Sequence, residues 1–331
     1  MTTYYGLYGQ KVQYLASDPS DPQIGQVWYN STSAVLKVRS ATSAGTWSTG
    51  GNLPAGINGN AAAGIQTAAL SFGGLIPPTG PTANTNSYNG TSWSPVSPMN
   101  TARFYLFGNG SQTAALGFGG YIGGESSAVE EWNGSSWTTV TAMPTNNRNG
   151  ASDGPQTATI AFGGINNLTL LYNGTSWTSN PNVLNTSRDS LAGSGTQTAA
   201  VAFGGAPFRT TTETWNGSNW TSNPTGLNTG RQGLAGAGTQ TSTVAFGGNI
   251  AAPSGPLVAS VSATEIWNGS TWTSNPNGMG TARYNLSRAG TGTAALAMTG
   301  ATQPSNPTPF LTATEEYIGP GFEETRTVTV S

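Results

Sequence analysis

Short apolar segments recur six times along the chain, each ending in a Gly-Gly pair or its variant Thr-Gly. They are QTAALSFGG at 66–74, QTAALGFGG at 112–120, QTATIAFGG at 156–164, QTAAVAFGG at 197–205, QTSTVAFGG at 240–248 and GTAALAMTG at 292–300. Their spacing is typical of four-stranded propeller blades and is too long for leucine-rich or ankyrin repeats. Each segment is therefore predicted to be an apolar strand of one repeating β unit.

A second phrase follows each of the first five segments and combines an aromatic residue, an Asn-Gly pair and a tryptophan. The Asn-Gly pairs lie at 89–90, 133–134, 173–174, 216–217 and 268–269, and the tryptophans are Trp93, Trp137, Trp177, Trp220 and Trp272. Asn-Gly between apolar runs is the strongest short-range hairpin signal, because both residues accept positive φ. Each repeat is thus predicted to hold four strands: a before Gln-Thr, b through Phe-Gly-Gly, c into Asn-Gly, and d from the tryptophan.

Length varies mainly in one part of the repeat, the connection from strand b to strand c. The gap from the strand-b Phe to the strand-c aromatic ranges from 10 to 21 residues, whereas the strand-d Trp is always followed 10 or 11 residues later by an arginine. In repeat proteins, insertions collect on the loops of one face, often the binding face. The b-to-c loops are therefore the predicted binding surface.

The sixth repeat lacks a tryptophan to open its fourth strand, because its strand c ends at Tyr317 and no tryptophan follows. Near the N-terminus, Trp47 stands 10 residues before Ile57, which stands 9 before Gln66, the spacing found in the later repeats. The segment around Thr46–Thr49 is therefore predicted to supply strand d of the last blade. The predicted fold class is all-β: a six-bladed β-propeller of four-stranded antiparallel blades, residues 46–319, closed by pairing of its N- and C-terminal strands.

These repeats resemble kelch repeats, which share the Gly-Gly after strand b, the aromatic at the end of strand c and the Trp that opens strand d. The resemblance covers roughly 270 of the 331 residues and implies a kelch-like propeller. The other propeller repeat of this length, WD40, carries a Gly-His signature, and this chain has no histidine. The chain departs from the kelch pattern in its Asn-Gly-Ser/Thr turns and in its few charged residues.

Two segments lie outside the repeats. Residues 1–45 are predicted to form an N-terminal arm with a hairpin, Gln26–Asn30 and Val35–Val38, after a Pro-containing spacer at 18–22. Residues 320–331 form a C-terminal tail whose alternating pattern predicts a strand that pairs with this hairpin.

The hairpin sequence IGQVWYNSTSAVLKVRS resembles the short Trp-Tyr-Asn hairpins of bacteriophage tail and virion proteins, where they precede exposed adhesive domains. The resemblance implies a virion protein, made in the host cytoplasm and released by lysis, whose arm binds other virion proteins. The N-terminus lacks the basic region and apolar run of a secretory signal, which agrees with this route. If the chain is not from a virion, the expected location is an extracellular surface.

Composition limits the chemistry. The formal net charge is -2, with 11 basic residues scattered singly, so no basic stripe for nucleic acid is expected. The absence of Cys and His removes thiol chemistry and the commonest metal ligand and general base, and we expect neither cofactor nor metal. The sequence contains no run of 18 apolar residues, so no membrane-spanning helix is predicted. The 10 Trp and 11 Tyr residues can supply a large part of the core.

One arginine per repeat stands in the connection before strand a: Arg103, Arg148, Arg188, Arg231 and Arg283. In a four-stranded blade this connection lies at the same end as the b-to-c loop. We expect these arginines to maintain the fold by pairing with strand-c glutamates, namely Glu130, Glu213, Glu265 and Glu315. The other interpretation is that they ring the channel mouth, where Arg188 and Arg231 bind an anionic sugar.

Further ligand candidates are the side chains of the b-to-c loops that follow no repeat position: Tyr121, Ile122, Phe208, Arg209, Ile250 and Phe310. Aromatic faces suit the C–H surfaces of carbohydrates. The isolated acids Asp153 and Asp189 have no second acid at a spacing that indicates a glycosidase pair. We therefore expect no catalytic residues.

The leading interpretation is a non-enzymatic virion structural protein, a tail fibre or surface appendage, whose propeller binds a host-surface glycan or protein through its b-to-c loops. A bacterial lectin or adhesin is the alternative, and a glycan-active enzyme is the third reading. Expected partners are other virion proteins and the host surface, with no nucleic acid and no membrane insertion. Homo-oligomerisation stays open.

Overall fold

A computed structural model of the chain describes residues 12–20, 22, 26–41, 44–251, 258–303, 309–320 and 323–327. All the regular secondary structure in these ranges consists of β-strands, so the described part of the chain is all-β. It divides into two compact units. One comprises Met1–Thr46 and Ile318–Ser331, and the other, Trp47–Tyr317, contains the repeats.

The strands are numbered in chain order. The N-terminal region contains β1 (Gln13–Leu15), β2 (Val27–Asn30), β3 (Val35–Ala41) and β4 (Thr46–Thr49). The first three repeats contain β5 (Ala61–Ile65), β6 (Ala68–Phe72), β7 (Leu75–Ile76), β8 (Gly80–Pro81), β9 (Thr85–Tyr88), β10 (Trp93–Val96), β11 (Phe107–Gly110), β12 (Ala115–Phe118), β13 (Val129–Trp132), β14 (Trp137–Val140), β15 (Gly150–Asp153), β16 (Thr159–Gly163), β17 (Leu168–Tyr172) and β18 (Trp177–Ser179). The remaining strands are β19 (Ala192–Thr196), β20 (Ala199–Phe203), β21 (Thr212–Trp215), β22 (Trp220–Asn223), β23 (Ala235–Thr239), β24 (Ser242–Phe246), β25 (Asn249–Ala251), β26 (Val258–Ser260), β27 (Thr264–Trp267), β28 (Trp272–Asn275), β29 (Ser287–Gly290), β30 (Ala294–Met298), β31 (Thr314–Ile318) and β32 (Glu323–Thr327).

Six four-stranded sheets contain the repeats, and we number them I to VI. They comprise β5, β6, β9 and β10 (I); β11 to β14 (II); β15 to β18 (III); β19 to β22 (IV); β23, β24, β27 and β28 (V); and β29, β30, β31 and β4 (VI). In every sheet the four strands are neighbours in the predicted order a to d. Strand β4 lies at the edge of sheet VI beside β31, which confirms the predicted origin of the sixth strand d.

The Asn-Gly pairs form the turns between strands c and d of sheets I to V, as the sequence predicts. In the first, the Asn89 side-chain oxygen accepts hydrogen bonds from the amides of Thr91, at 3.0 Å, and Ser92, at 2.9 Å. Gly90 has φ of 90°, a conformation that few other residues adopt. The same pair of bonds recurs in the other four turns. Local chemistry therefore explains these five asparagines.

The strand-d tryptophans join neighbouring sheets. Trp137 of sheet II packs on Phe72 of sheet I with ring centroids 4.8 Å apart, and its indole N–H donates to the Thr85 hydroxyl at 3.0 Å. Four further tryptophans donate in the same way to a threonine at the start of strand c: Trp47, Trp93, Trp220 and Trp272. Each indole thus buries apolar area and also satisfies its single donor.

The glutamine that opens each of the first five apolar segments is a second link between sheets. Gln112 lies in the turn between strands a and b of sheet II, and its side-chain amide donates to the backbone carbonyls of Ala69 and Tyr88 in sheet I. Gln156, Gln197 and Gln240 repeat this arrangement. Gln66 makes the same bonds to Ala295 and Tyr317, so it links sheet I to sheet VI.

The first strands of the six sheets are neighbours in the cyclic order β5, β11, β15, β19, β23 and β29, with β29 again beside β5. Shortly before the first strand of each sheet, one residue with positive φ donates its backbone N–H to the carbonyl of the equivalent residue before the preceding sheet. The six residues are Gly59, Tyr105, Asn149, Ser190, Gly233 and Asn285. Because Gly59 donates to Asn285, the six hydrogen bonds form an unbroken circuit.

The N-terminal unit contains one sheet with strand order β1-β2-β3-β32. The predicted hairpin is present, with Val27 opposite Val38, and the predicted pairing of the C-terminal strand is confirmed between β3 and β32. Asp18 of the spacer accepts hydrogen bonds from Trp28, Asn30 and Lys37. The bond from Lys37 is the main reason that the pKa of Asp18 falls to about 2. Lys11, Asp21 and residues 328–331 lie outside the described residues.

Candidate functional site

One end of the repeat region carries the b-to-c loops, which are the connections that vary most in length. We call it the loop face. It comprises the b-to-c loops 73–84, 119–128, 164–167, 204–211, 247–263 and 299–313, together with the connections that lead into each strand a. Two of the loops contain short hairpins, β7 with β8 and β25 with β26. The longest b-to-c loop, 247–263, includes residues 252–257, which lie outside the described part of the chain.

The repeated arginines lie beneath this face. Arg103 pairs with Glu130 and Arg231 with Glu265, each at 2.8 Å, and Arg188 and Arg283 pair with Glu213 and Glu315 in the same way. All four predicted pairings are confirmed. Burial is the main reason that the pKa of each of these guanidiniums falls below its usual value.

The second carboxylate oxygen of each glutamate is also satisfied. It accepts a backbone N–H from the residue three positions before the arginine, namely Asn100, Asn185, Asn228 or Gly280. Arg188 and Arg231, which the anionic-sugar hypothesis had placed at a channel mouth, are at most 3% exposed. Their guanidiniums also donate to backbone carbonyls, such as that of Ala263 for Arg231 at 2.9 Å. Both side chains thus belong to the interior of their sheets.

The assignment of Arg148 to this repeated position is wrong by one residue. Asn147 occupies it instead: its carbonyl accepts the amide of Gly120, just as the carbonyl of Arg103 accepts the amide of Gly74. Sheet III carries Leu170 where four of the other strands c carry glutamate, so a buried arginine at 147 would lack a partner. Proline at 144 agrees with this, because it has no N–H to donate to a glutamate.

Sheet I shows the same linked change. Ile57 occupies the arginine position, Asn86 the glutamate position, and Pro54 the position three residues before Ile57. These three residues line a groove of about 200 Å³. Sequence alignment on the Leu/Met-Xaa-Thr-Xaa-Arg pattern, LNTSR or MNTAR against MPTNN, could have identified this linked set.

Arg148 itself lies on the loop face. Its guanidinium stands 4.8 Å above the ring of Tyr121 and 3.5 Å from the carboxylate of Glu125. Tyr121 also packs edge-on against Phe104 at 5.4 Å. Ile122, the next residue, is 49% exposed. The connections of sheets II and III thus form an aromatic and cationic cluster, which we call the Tyr121 cluster: Phe104, Tyr121, Ile122, Glu125 and Arg148.

The other candidates lie in separate loops. Phe208 has φ of 51° and the Arg209 Nε donates to the Ala206 carbonyl at 3.2 Å, both in the loop of sheet IV. Ile250 lies on β25 in the loop of sheet V, and Phe310 bridges Ala301 in the loop of sheet VI. All three hydrophobic candidates in these loops are half-buried. The candidates thus occupy four different sheets.

A small pocket of about 100 Å³ lies at the centre of the loop face, within the circuit of backbone bonds. The ring of Tyr105 lies against Gly59, where an added Cβ would be 2.5 Å from the ring. The Asn285 side-chain amide contacts the Tyr105 hydroxyl at 3.4 Å and the Asn58 side-chain oxygen at 3.5 Å. Desolvation raises the pKa of Tyr105. Sequence reasoning missed these residues because they share no residue type, only a position after the buried arginine.

Sequence reasoning also missed an ion pair between strands a. Arg288 on β29 donates to the Asp153 carboxylate on β15 at 2.8 Å. Cavities of about 140 Å³ and 450 Å³ are both lined by Arg288, and Asp153 lines the larger. The sequence did contain a signal, because Arg288 is charged, whereas the aligned residues of the other strands a are small and neutral: Ala62, Gly108, Ser152, Gly193 and Gly236.

Comparison with protein-family models and with curated proteins found no match for this sequence. Within the described ranges there is no helix of a length and hydrophobicity that could cross a bilayer. The same part of the chain holds no grouping of three or more His, Cys, Asp or Glu residues placed to bind a metal ion.

Proposed function

We propose that residues 46–319 form a closed six-bladed kelch-like propeller, and that the protein is a non-enzymatic structural component of a bacteriophage virion. Its loop face binds a host-surface glycan or protein, and its N-terminal arm binds other virion proteins. The circuit of six backbone bonds supports closure, because each sheet is bonded to the next and sheet I to sheet VI. The kelch-like repeats and the Trp-Tyr-Asn hairpin support the family and the virion role.

One observation supports the binding role most directly: the repeated polar groups are used within the sheets, whereas Ile122 of the Tyr121 cluster is 49% exposed. The buried arginines, the asparagines of the turns and the linking glutamines all have partners in the sheets. The Tyr121 cluster also places an aromatic ring, a guanidinium and an exposed isoleucine side by side, from two neighbouring connections of the loop face. Such convergent groups on a rigid scaffold are typical of recognition surfaces.

The binding role is tested with a bacterial surface-glycan array and a matched pair of variants. Ile122→Ala and Tyr121→Ala change the loop face, while Ile65→Ala removes an equally exposed isoleucine, 55% exposed, from the opposite end. We expect glycan or cell binding to fall about tenfold or more for the loop variants, as loss of a central contact predicts. Ile65→Ala should bind as the parent protein does. Equal binding by all three variants would exclude the Tyr121 cluster.

The virion role is tested separately by mass spectrometry of purified phage particles that carry the gene. Deletion of residues 1–45 retains β4 and should yield a folded propeller that no longer enters the particle. Absence of the full-length protein from the particles would contradict the virion role. Equal incorporation of the truncated protein would contradict the role of the arm.

A further inference from the structure

The interior between the strands a contains a single charged pair among the described residues. Positions aligned with Arg288 carry small side chains in the other five sheets, and those aligned with Asp153 are Ala63, Asn109, Ser194, Ala237 and Ala289. Sheets III and VI are three places apart in the cyclic order of first strands, so this ion pair spans the space between opposite sheets. Paired charges at two positions that small neutral residues can fill suggest a role beyond packing.

The pair is only partly used by the protein. One guanidinium nitrogen of Arg288, Nη2, donates to the Asp153 carboxylate and to the carbonyls of Ser152 and Gly193. No hydrogen bond from its Nη1 or Nε to a described residue is found, and the side chain is 22% exposed. Asp153 accepts the amides of Gly154, at 2.7 Å, and Gly195, at 3.1 Å, and is 16% exposed. A carboxylate has about four acceptor sites, so it can accept a further donor.

The larger of the two cavities that this pair adjoins, about 450 Å³, we call the chamber. It lies among the turns between strands a and b, at the end opposite the loop face. Its walls are small residues such as Ala63, Ala114 and Ala289, together with Ser111, Thr157 and Thr196. Of the four cavities described above, this is the one whose volume falls in the range of small-molecule sites, roughly 300–1,000 Å³.

We propose that the chamber binds a neutral, hydroxyl-rich ligand of monosaccharide size. Arg288 offers donors and Asp153 offers an acceptor side by side, and hydroxyl groups on adjacent carbons both donate and accept. The ligand is neutral because Arg288 and Asp153 compensate each other and the described residues that line the chamber include no other charged one. Affinity is modest, because none of these described lining residues has an aromatic ring that could stack on the sugar. This site is independent of the loop face.

The test is an amide-detected NMR titration of the full-length protein with glucose, galactose, mannose and N-acetylglucosamine, and with glucuronate as the charged counterpart. We expect at least one neutral sugar to saturate with a Kd on the order of 1–10 mM. The shifted amides should be those of Gly154, Gly195 and Gly290, which line the chamber. Glucuronate should bind at least several-fold more weakly, because the chamber has no net positive charge to offset the desolvation of its carboxylate.

The matched variant is Asp153→Ala with Arg288→Ala, which places at both positions the residue found in sheet I, Ala63 and Ala62. We expect it to fold and to lose the sugar response, while Ile122→Ala on the loop face keeps it. Absence of saturation for all four neutral sugars would overturn the proposal. Tighter binding of glucuronate, shifts confined to the loop face, or an unchanged response in the double variant would do the same. The titration of the parent protein decides the question even if the double variant does not fold.

Discussion

At the residue scale, four sheets tolerate a buried arginine–glutamate pair because both carboxylate oxygens of the glutamate accept hydrogen bonds. The Glu265 carboxylate takes one bond from Arg231 and one from the amide of Asn228. Where the sequence replaces the arginine, it also replaces the glutamate and the amide donor, as at Asn147, Leu170 and Pro144. The three positions therefore behave as one unit, since leaving a buried carboxylate unpaired is costly.

Replacing Arg231 with Met should lower the free energy of unfolding by about 3–5 kcal/mol, because Glu265 is left buried without its cation. Chemical denaturation measures the loss. Combining Arg231→Asn with Glu265→Leu, the residues that sheet III carries, should be less damaging than Arg231→Met alone. Arg148→Met, a change at a half-exposed arginine, should cost less than about 1 kcal/mol. A stable Arg231→Met protein would contradict a role in maintaining the fold.

Trp177 shows what happens when one member of a repeated pair is missing. The strand-d tryptophans of the other sheets donate to a threonine at the start of strand c in the preceding sheet. For Trp177 that position is Val129, and its buried indole nitrogen has no partner among the described residues. Its ring still packs on Phe118 at 4.9 Å. The apolar half of the contact is thus retained without the hydrogen bond.

Val129→Thr should therefore raise the free energy of unfolding by about 1 kcal/mol, the typical net value of a hydrogen bond. Val201→Thr, at an equally buried strand position, is the matched control and should be destabilising, since its hydroxyl meets no such donor. Thermal and denaturant unfolding compare the two. Equal destabilisation by the two substitutions would show that the Trp177 indole N–H forms no stabilising hydrogen bond with a hydroxyl at position 129.

At the scale of elements, strands a to d are constant and the b-to-c loops are not. The loop of sheet III has four residues, 164–167, whereas that of sheet V runs from 247 to 263 and contains the β25–β26 hairpin. Both sheets keep the same strand order and the same Asn-Gly turn. Loop length can therefore change without altering the packing of the sheets.

Replacing residues 252–257 with an Asn-Gly turn should change the free energy of unfolding by less than about 1 kcal/mol, because loop-closure entropy varies by only about 0.6 kcal/mol per doubling of length. Binding to the host surface should weaken, as measured on whole cells or the glycan array. A set of variants shortened in all six b-to-c loops extends the test. Full binding by that set would exclude the loop face as the adhesive surface.

At the scale of the whole molecule, the two ends of the repeat region meet in sheet VI. Trp47 of β4 packs on Phe246 and on Tyr317, each at 5.0 Å between ring centroids, and donates to the Thr264 hydroxyl at 2.9 Å. These contacts join residues 199 to 270 positions apart, so the fourth strand of sheet VI depends on the start of the chain.

Deletion of residues 1–50 should therefore cause aggregation or a large fall in Tm, because β31 would become an unpaired edge beside an exposed aromatic core. Deletion of residues 1–45, which spares β4, is the control and should melt much closer to the full chain. Scanning calorimetry with light scattering distinguishes the two. An unchanged Tm after removal of residues 1–50 would show that β4 is not needed to complete sheet VI.

The sequence alone determined the strands of this protein and their order, because Asn-Gly turns, Gly-Gly ends and tryptophans at regular spacing act through local backbone and packing preferences. It also indicated where strand β4 belongs, since Trp47 keeps the spacing of the other repeats. Only the tertiary structure decided that Asn147 and not Arg148 holds the buried position, because two adjacent residues fit the same spacing and burial selects between them. It alone brought Arg288 to Asp153, because residues 135 positions apart on different sheets share no local pattern.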